Sequence, residues 1–580
     1  MQASGKNIKG LMTGNNMFRI PFFQRRYVWE EENWERFADD MESLIDRTNP
    51  YFLGSLIFKK EPIDNDDRIN GVANKYFVVD GQQRLTTLFI YMKILHMATG
   101  KQSSFNENYM VDSDLLIPTL DHNSLDRKSF DKIMKLEASM KELEGDDKII
   151  QAYRYFRNRI TSNEALNKSQ LLKNINALVN FVTIVVDEAD DEQQIFDTIN
   201  SLGVDLNTDE LMKNFLYCSD QDEENYSQNW KPVFDTKEEA EFWKSDASAN
   251  KKADKKENKK IEQFFHAFVR IKMWDFPNLT SVDKKNFVKL HNTFNTCKSF
   301  VKVYDMSRQD LANEIIEYAK IYKNHFNREV LNEPTPKYAC VKRLICFILS
   351  TKSFAITPYI LYILRNVTDI EEQNKIFGYL ETYLIRRVVA DSANNNYSDL
   401  FSENLINNKI LTFERLKGYI ENKPNTDALA MPQDDVVKRG ICYRNKVINE
   451  QNAQAILYLY ESKLASLTSS FNDFKAIQMM SKKPPVNKGW ITYPSNSDEE
   501  DVRIQRTNTL GNFFLIDDTG EKGVKKLKSP QERINAILKY ENINTNNHLT
   551  RVRGNWTSEN IDERNKYLAD AINTRIWSIN

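Results

Sequence analysis

One stretch of the chain places a carboxylate, two amides, a guanidinium and two hydroxyls within eight residues, Asp80-Gly81-Gln82-Gln83-Arg84-Leu85-Thr86-Thr87. A β-type run precedes this stretch and an apolar helical pattern follows it, so it lies where a strand turns into a helix. Free N–H groups at a helix start attract anions, and arginine can bind two phosphate oxygens at once. Gly81 permits a tight turn, and Asp80 suits a magnesium ion or an oriented water. The spacing predicts a phosphate-binding turn, with a simply capped helix as the alternative.

Two further polar clusters flank this turn in the sequence. The first, IPFFQRRYVW at 20–29, places Arg25 and Arg26 between aromatic residues just before an amphipathic helix pattern. The other, FDTINSLGVDLN at 196–207, is the third cluster in chain order. It ends a helix near Asn200, turns at Gly203 and leads into a new helix. Taken alone, the first cluster also suits a segment that merely packs across a domain.

The elements that must position these clusters are short strands followed by many helices. Strands are predicted for YFLGSLIF (51–58), YFVVD (76–80) and FVTIVVD (181–187), with a polar surface loop at 61–75. Helical periodicity dominates from 261 to about 390 and returns in a final helix at 557–577. The predicted fold class is α+β and predominantly helical. The predicted regions are an N-terminal domain at 10–230, a Lys-rich connection at 231–260, a helical middle region at 261–404 and a C-terminal module at 405–580.

The composition excludes several classes of protein. With 80 Lys+Arg against 82 Asp+Glu the formal net charge is −2, which excludes a tail-driven nucleic-acid binder but not a local basic groove. The 41% of hydrophobic residues argues against whole-chain disorder. Apolar runs are too short to span a bilayer, so no membrane partner is expected. Five scattered cysteines without CxxC spacing favour a cytoplasmic location.

The three clusters, in this order, resemble the N-terminal domain of GmrSD-type restriction endonucleases. The family pattern combines an IPxYQRxYxW-like segment, an FLGS strand, a DGQQR-LTT turn and an FxxINxxGxxLxxxDLxKN segment. This chain supplies IPFFQRRYVW, YFLGSLIF, VVDGQQRLTTL and IFDTINSLGVDLNTDELMKNFL, with Phe23 in place of the tyrosine. The resemblance covers about residues 10–220. It implies a ParB/sulfiredoxin-like nucleotide-binding α/β domain, associated with NTP hydrolysis in defence against phage.

The resemblance also implies a set of site residues and ligands. We expect an NTP with Mg²⁺, the metal held by Asp80, and DNA, including modified phage DNA, as a partner. Whether the chain forms a homo-oligomer is not determined by its sequence. The implied residues are Asp80, Gln83 and Arg84 for catalysis, Gln24, Arg25, Gly81, Gln82, Thr86 and Thr87 for nucleotide binding, and Asn200, Gly203, Asp209 and Lys213 as a supporting motif.

The C-terminal region resembles a helical HNH-type nuclease module that has lost its histidine. The resemblance runs from MPQDD (431–435) through AILYLYESKL (455–464) and TLGNFFL (509–515) to Arg564. Active members carry an EHIMP-like string, whereas this chain reads AIQMMS, with Gln478 at the histidine position and none between His325 and His548. Glutamine cannot take up a proton as imidazole can. The resemblance therefore implies a degenerate nuclease site at Gln478 and Asn512.

The last helical region also carries basic residues that can face DNA phosphates, with ordinary exposed helix charges as the simpler interpretation. These residues are Arg551, Arg553, Arg564, Lys566 and Arg575.

Three functions fit this sequence. The first is a phage-defence NTPase whose DGQQR pocket is coupled to DNA recognition. The second is a DNA endonuclease or nickase with an unorthodox C-terminal metal site. The third is a non-catalytic regulatory component that acts with a separate nuclease. The sequence favours the first.

Overall fold

The structure, a computed structural model, is α+β and 61% helical, which confirms the predicted fold class. It divides into two compact units, residues 1–228 and 229–580. The further division of the second unit at residue 404 stays a prediction. The structure describes every residue except 1, 64, 124, 138–139, 187–206, 218–221, 248–258, 393–395, 445–446, 466, 486–487, 492, 495–496, 541–542, 553–554 and 580.

The first unit is built on a six-stranded mixed sheet with the order β1-β8-β3-β4-β2-β7. β4 runs antiparallel to β3 and parallel to β2, and Asp80 at its end pairs with Ile57. A separate two-stranded sheet joins β5 and β6. The strands are β1 Gln2–Asn7, β2 Asn16–Arg19, β3 Tyr51–Glu61, β4 Asn74–Asp80, β5 Met110–Asp112, β6 Ile117–Pro118, β7 Leu120–Asp121 and β8 Val179–Val186.

The strand predictions at 51–58 and 76–80 are confirmed, and β8 confirms the described part of the third. The predicted loop at 61–75 is only partly a loop, because a short helix forms at 65–69 and β4 already begins at Asn74. The helices of this unit are α1 Ile8–Met12, α2 Glu31–Glu42, α3 Asn65–Ile69, α4 Gln82–Ala98, α5 Gln102–Tyr109, α6 Arg127–Met134, α7 Lys148–Ser162, α8 Lys168–Leu178, α9 Thr208–Leu216 and α10 Glu223–Asn225.

α4 is the central helix of the first unit. Its residues are buried almost all round, and it contacts α5, α6, α7 and α8. A helix that is apolar on every side belongs in a core, so α4 is fixed from all directions. α2 packs on the same core through Trp34, Phe37 and Met41, spaced as one helical face requires. The turn before α4 is therefore attached to a helix that is packed into the core of this unit.

The second unit is mostly helical and contains one two-stranded antiparallel sheet, β9 and β10, among its described residues. Its core beside this sheet includes Met479, Phe514 and Trp556. Its elements are α11 Lys231–Phe234, α12 Lys237–Lys244, α13 Lys260–Lys272, α14 Ser281–Phe287, α15 Thr293–Lys302, α16 Arg308–His325, α17 Cys340–Thr351, α18 Thr357–Asn366, α19 Ile370–Val389, α20 Phe413–Glu421, α21 Asp434–Cys442, α22 Glu450–Leu464, β9 Phe474–Gln478, α23 Asp498–Thr507, β10 Phe513–Asp517, α24 Asp518–Lys526, α25 Pro530–Leu538 and α26 Ser558–Ala571.

Arg564 on α26 is fully buried, so it cannot belong to an exposed basic face. Its guanidinium donates to the carbonyl oxygens of Gly511, Phe513 and Thr545 at 2.8, 2.5 and 3.0 Å. It also lies 3.8 Å from the ring centre of Phe514. Arg564 thus ties α26 to the segment that leads into β10. Helices long and apolar enough to cross a bilayer do not occur in the part of the chain that the structure describes.

Candidate functional site

α4 begins directly after Gly81, with the positive end of its dipole in the DGQQR turn. Gly81 has a φ of 99°, and no side chain caps the helix. A Cβ at Gly81 would lie 2.3 Å from Cδ2 of Leu56, so only glycine fits there. The first turn also lacks acidic residues. The N–H groups of Gln82, Gln83 and Arg84 have no intrahelical acceptor and together form a cradle for an anion.

Asp80 and Arg84 form an ion pair across this turn. Nη2 of Arg84 lies 2.9 Å from Oδ2 of Asp80, and about a quarter of each side chain is exposed. The guanidinium occupies the space above Gly54 of β3, where a Cβ would come within 2.0 Å of Nη1. Gly54 was not predicted as a site residue. A glycine inside a strand pattern often marks a close approach, and that signal was available in FLGS.

Both glutamines of the DGQQR turn hold the first cluster against α4. Nε2 of Gln82 donates to the carbonyl oxygen of Arg25 at 3.1 Å. Gln83 donates to the carbonyl oxygen of Arg26 at 3.1 Å and accepts from the N–H of Val28 at 2.9 Å. Oε1 of Gln82 is buried and has no hydrogen-bond partner among the described residues. Gln83 is therefore a positioning residue here, whereas Gln82 still offers an acceptor to a ligand.

The predicted binding residues Gln24 and Arg25 play different parts. Gln24 is buried, and its Nε2 donates to the carbonyl oxygens of Val78 and Val79 at 2.5 and 3.2 Å. It thus fixes the strand end that precedes Asp80. The Arg25 side chain is half-buried beside the turn and forms no ion pair with a described residue. Arg25 is accordingly a member of the first cluster that can reach a ligand.

Thr86 and Thr87 lie in the interior, with exposed fractions of 1% and 0%. The hydroxyl of Thr86 donates to the carbonyl oxygen of Gln82 at 2.8 Å and contacts Nε2 of His122 at 2.9 Å. The hydroxyl of Thr87 donates to the carbonyl oxygen of Gln83 and lies 2.6 Å from the hydroxyl of Tyr27. In this structure both threonines stabilise the turn from its buried side and do not line the anion cradle.

Asp126 anchors the first cluster from the other side. Its Oδ2 accepts from the N–H of Tyr27 at 2.6 Å. Burial raises the pKa of Asp126 to about 6, and the nearby Asp147 adds to this, while the Tyr27 N–H and Arg26 oppose it. The folded state therefore binds a proton at pH values where an unfolded aspartate, with a pKa of 3.8, is already ionised.

We expect Asp126 to make the first unit less stable as pH rises from about 4 to about 6, because its folded-state pKa lies above its unfolded value. Asp126→Asn cannot ionise but keeps an acceptor for Tyr27, so it should remove this part of the pH dependence. Denaturant midpoints of wild type and variant across this range measure the effect. The exposed Asp114→Asn variant is the control. If the denaturant midpoints of wild type and Asp126→Asn changed with pH in the same way, the prediction would be wrong.

The third cluster lies partly outside the described residues, and this includes Asn200 and Gly203. Asp209 and Lys213 are buried on α9, which begins after Asn207 as predicted. When the Asn214 amide is oriented to satisfy its neighbours, it donates to the carbonyl oxygen of Phe23 at 2.6 Å. The helix that follows the third cluster, α9, therefore contacts the first cluster.

In the second unit the structure brings Gln478 and Asn512 together. Their amides both donate to the carbonyl oxygen of Thr507, at 2.7 and 3.0 Å. Asn512 is fully buried and also bonds the N–H and the carbonyl oxygen of Met480, at 2.9 and 2.8 Å. Asn512 thus clamps the loop after β9. Replacing it would disturb the fold, so Asn512→Ala is a poor test of cleavage.

The anion cradle, two arginines and one carboxylate can bind and polarise a polyphosphate. Groups of three or more His, Cys, Asp or Glu that could hold a metal do not occur among the described residues. Asp80 supplies one oxygen ligand, and magnesium in such sites commonly shares its coordination with phosphates and water. The donor set therefore fits a magnesium ion that arrives with a nucleotide.

Comparison with known proteins supports the sequence resemblance for the first unit. Residues 8–217 match the family model described as the GmrSD restriction endonuclease, N-terminal domain. The match includes the whole DGQQR turn, the first cluster and α9. The C-terminal region lies outside it. Curated proteins gave no significant match to the chain.

Proposed function

We propose that the chain is a restriction-type phage-defence protein that binds and hydrolyses an NTP at the DGQQR turn and couples this to DNA recognition. The observation that carries the proposal is the uncapped start of α4, with Asp80 and Arg84 paired beside it and Gly54 leaving room for the guanidinium. The family match at 8–217 supports the defence role and the DNA partner. The four described cysteines are free, which supports a reducing, cytoplasmic setting.

The proposed mechanism begins with competition for Arg84. Phosphate oxygens lie in the N–H cradle of Gln82 and Gln83 and attract both Arg84 and Arg25. When Arg84 turns toward the phosphates, the Asp80 carboxylate loses its partner and can orient the attacking water or hold a magnesium ion. The metal, when bound, neutralises charge on the transferring phosphoryl group. The free Oε1 of Gln82 accepts from a hydroxyl or amine of the nucleotide.

Gly54→Ala is expected to weaken nucleotide binding about tenfold, because the new methyl group displaces Arg84 and a charge-assisted contact is lost. Isothermal titration of each NTP measures this change. Gly71→Ala is the matched control, since Gly71 also has a positive φ, +78°, but has open space at its Cβ position. Equal affinities for the two variants would show that Arg84 does not contact the nucleotide.

The direct test is phosphate release from ATP, GTP, CTP and UTP, with and without unmodified or modified phage DNA, and with plasmid integrity read from the same reactions. The proposal expects turnover of at least one NTP, a rate that changes with DNA, and intact plasmid. Absence of turnover with nucleotide still bound would favour the regulatory component.

Nuclease activity is the second candidate, because Gln478 and Asn512 meet beside the β9–β10 sheet. Plasmid nicking that survives Asp80→Asn would favour it over the NTPase. Glutamine lacks the proton affinity of histidine, so we rank this candidate lower.

A further inference from the structure

A cavity of about 430 Å³ opens at the end of α4 opposite the DGQQR turn. Its walls come from α1, α4, α5 and α8, all in the first unit. This volume lies within the range of small-molecule sites, about 300–1,000 Å³. His96 lines the cavity fourteen residues after Gln82, which at the rise of an α-helix corresponds to about 21 Å. The cavity is therefore separate from the anion cradle.

The floor of the cavity carries hydrogen-bonding atoms that the protein does not use. His96 and Tyr109 are each only 2% exposed. Nδ1 of His96 lies 2.8 Å from the carbonyl oxygen of Met92, so Nδ1 carries the hydrogen and Nε2 is a bare acceptor. Burial lowers the pKa of His96 to about 4, which keeps the ring neutral. The Tyr109 hydroxyl is buried without a hydrogen-bond partner among the described residues. Such groups cost free energy unless a ligand or water satisfies them.

The rim of the cavity is cationic, and the remaining wall combines polar and apolar side chains. Lys9 and Lys173 are exposed at the rim, and neither forms an ion pair with a described residue. Asn108 adds an exposed amide to the lining. Ile8 and Met12 supply buried apolar surface. These groups suit a ligand that combines a hydrogen-bonding body with an anionic end.

We propose that this cavity is a second ligand site, for a free mononucleotide-sized molecule with an aminated heteroaromatic ring and one phosphate. The ring amine donates to Nε2 of His96, and a ring nitrogen accepts from the Tyr109 hydroxyl. The phosphate lies between the ammonium groups of Lys9 and Lys173. This site goes beyond the proposed NTPase and does not depend on it.

The test follows the methyl signal of Met12 in full-length protein labelled with ¹³C at its methionine methyl groups, during titration with AMP. Met12 lines the cavity, so its methyl signal responds to a ligand bound there. We expect a saturable shift of this signal. Lys9→Glu/Lys173→Glu should weaken binding about tenfold or more, through loss of charge-assisted contacts. Tyr109→Phe preserves the ring and should weaken binding about threefold or more, through loss of one hydrogen bond.

Two control variants and one further ligand test whether binding is specific to this cavity. Lys128→Glu/Lys132→Glu on α6 makes the same charge change outside the cavity and should leave the affinity unchanged. Arg84→Ala should leave the Met12 shift intact, which separates this site from the DGQQR turn. The proposal would be overturned if the Met12 signal did not shift at millimolar AMP. It would also be overturned if Lys9→Glu/Lys173→Glu left the affinity for AMP unchanged. A shift with a 5′-phosphorylated oligonucleotide but not with AMP would overturn the assignment to a free mononucleotide.

Discussion

Asp80→Asn should reduce NTP turnover about a hundredfold, the loss typical of removing one electrostatic group from an active site. Asparagine is nearly isosteric and can still accept a hydrogen bond from Arg84, so the turn should keep its shape. It lacks the charge that holds a metal or orients water. We therefore expect kcat to fall while nucleotide affinity stays within a few-fold of wild type. Phosphate release under saturating nucleotide measures this change.

The matched control for this variant is Asp131→Asn on α6. Asp131 also pairs with a residue four positions on, since Nζ of Lys135 lies 3.6 Å from its Oδ2. That pair lies on α6 outside the turn, so its loss should leave turnover unchanged. Full turnover by Asp80→Asn would remove Asp80 from the proposed mechanism. Equal losses of turnover in Asp80→Asn and Asp131→Asn would indicate a general effect of removing a negative charge.

Arg564→Met should destabilise the second unit by about 3 kcal/mol or more, because several buried carbonyl oxygens lose their donors at once. The carbonyl oxygens of Gly511, Phe513 and Thr545 all bond this guanidinium. Burial lowers the pKa of Arg564 to about 9, while Glu461 opposes this change, so the side chain is still charged near pH 7. Methionine fills similar space and offers no donor.

Hydrogen exchange of the segment 510–517 is the most direct readout of this destabilisation, since these amides lie beside the lost contacts. The exposed neighbour Lys566→Met is the control and should exchange as wild type does. Normal protection in Arg564→Met would mean that the packing of Trp556 and Phe514 holds this segment without the guanidinium.

β3, β4 and the described part of β8 were predicted as strands, whereas the polar β1 and the apolar β10, FFLID, were not. β3 and β4 are rich in aromatic and β-branched residues. β1, QASGKN, has no such pattern and forms because all six of its residues pair with β8. Tertiary pairing thus overrides a weak local preference. β2 is likewise fixed by parallel neighbours on both sides.

The position of the turn was predictable, but the direction of each side chain was not. α4 is buried all round, so its apolar pattern has no polar face from which to infer orientation. Thr86 and Thr87 were expected to bind the nucleotide because they add hydroxyls to the turn, but these hydroxyls lie inside and bond carbonyl oxygens of α4. Gly54 was missed because its role depends on Arg84, thirty residues away in the sequence, reaching across the sheet. The site roles stay proposals until the variants are measured.

The glutamines of the turn have a consequence for how such a protein can diversify. Gln82 and Gln83 bind the backbone of residues 25, 26 and 28, not their side chains. The hydrogen bonds from the two glutamines therefore do not depend on the side chains of Arg25 and Arg26. Substitutions at these two positions can retune ligand preference without loosening the scaffold, which makes them the natural sites for a randomised library.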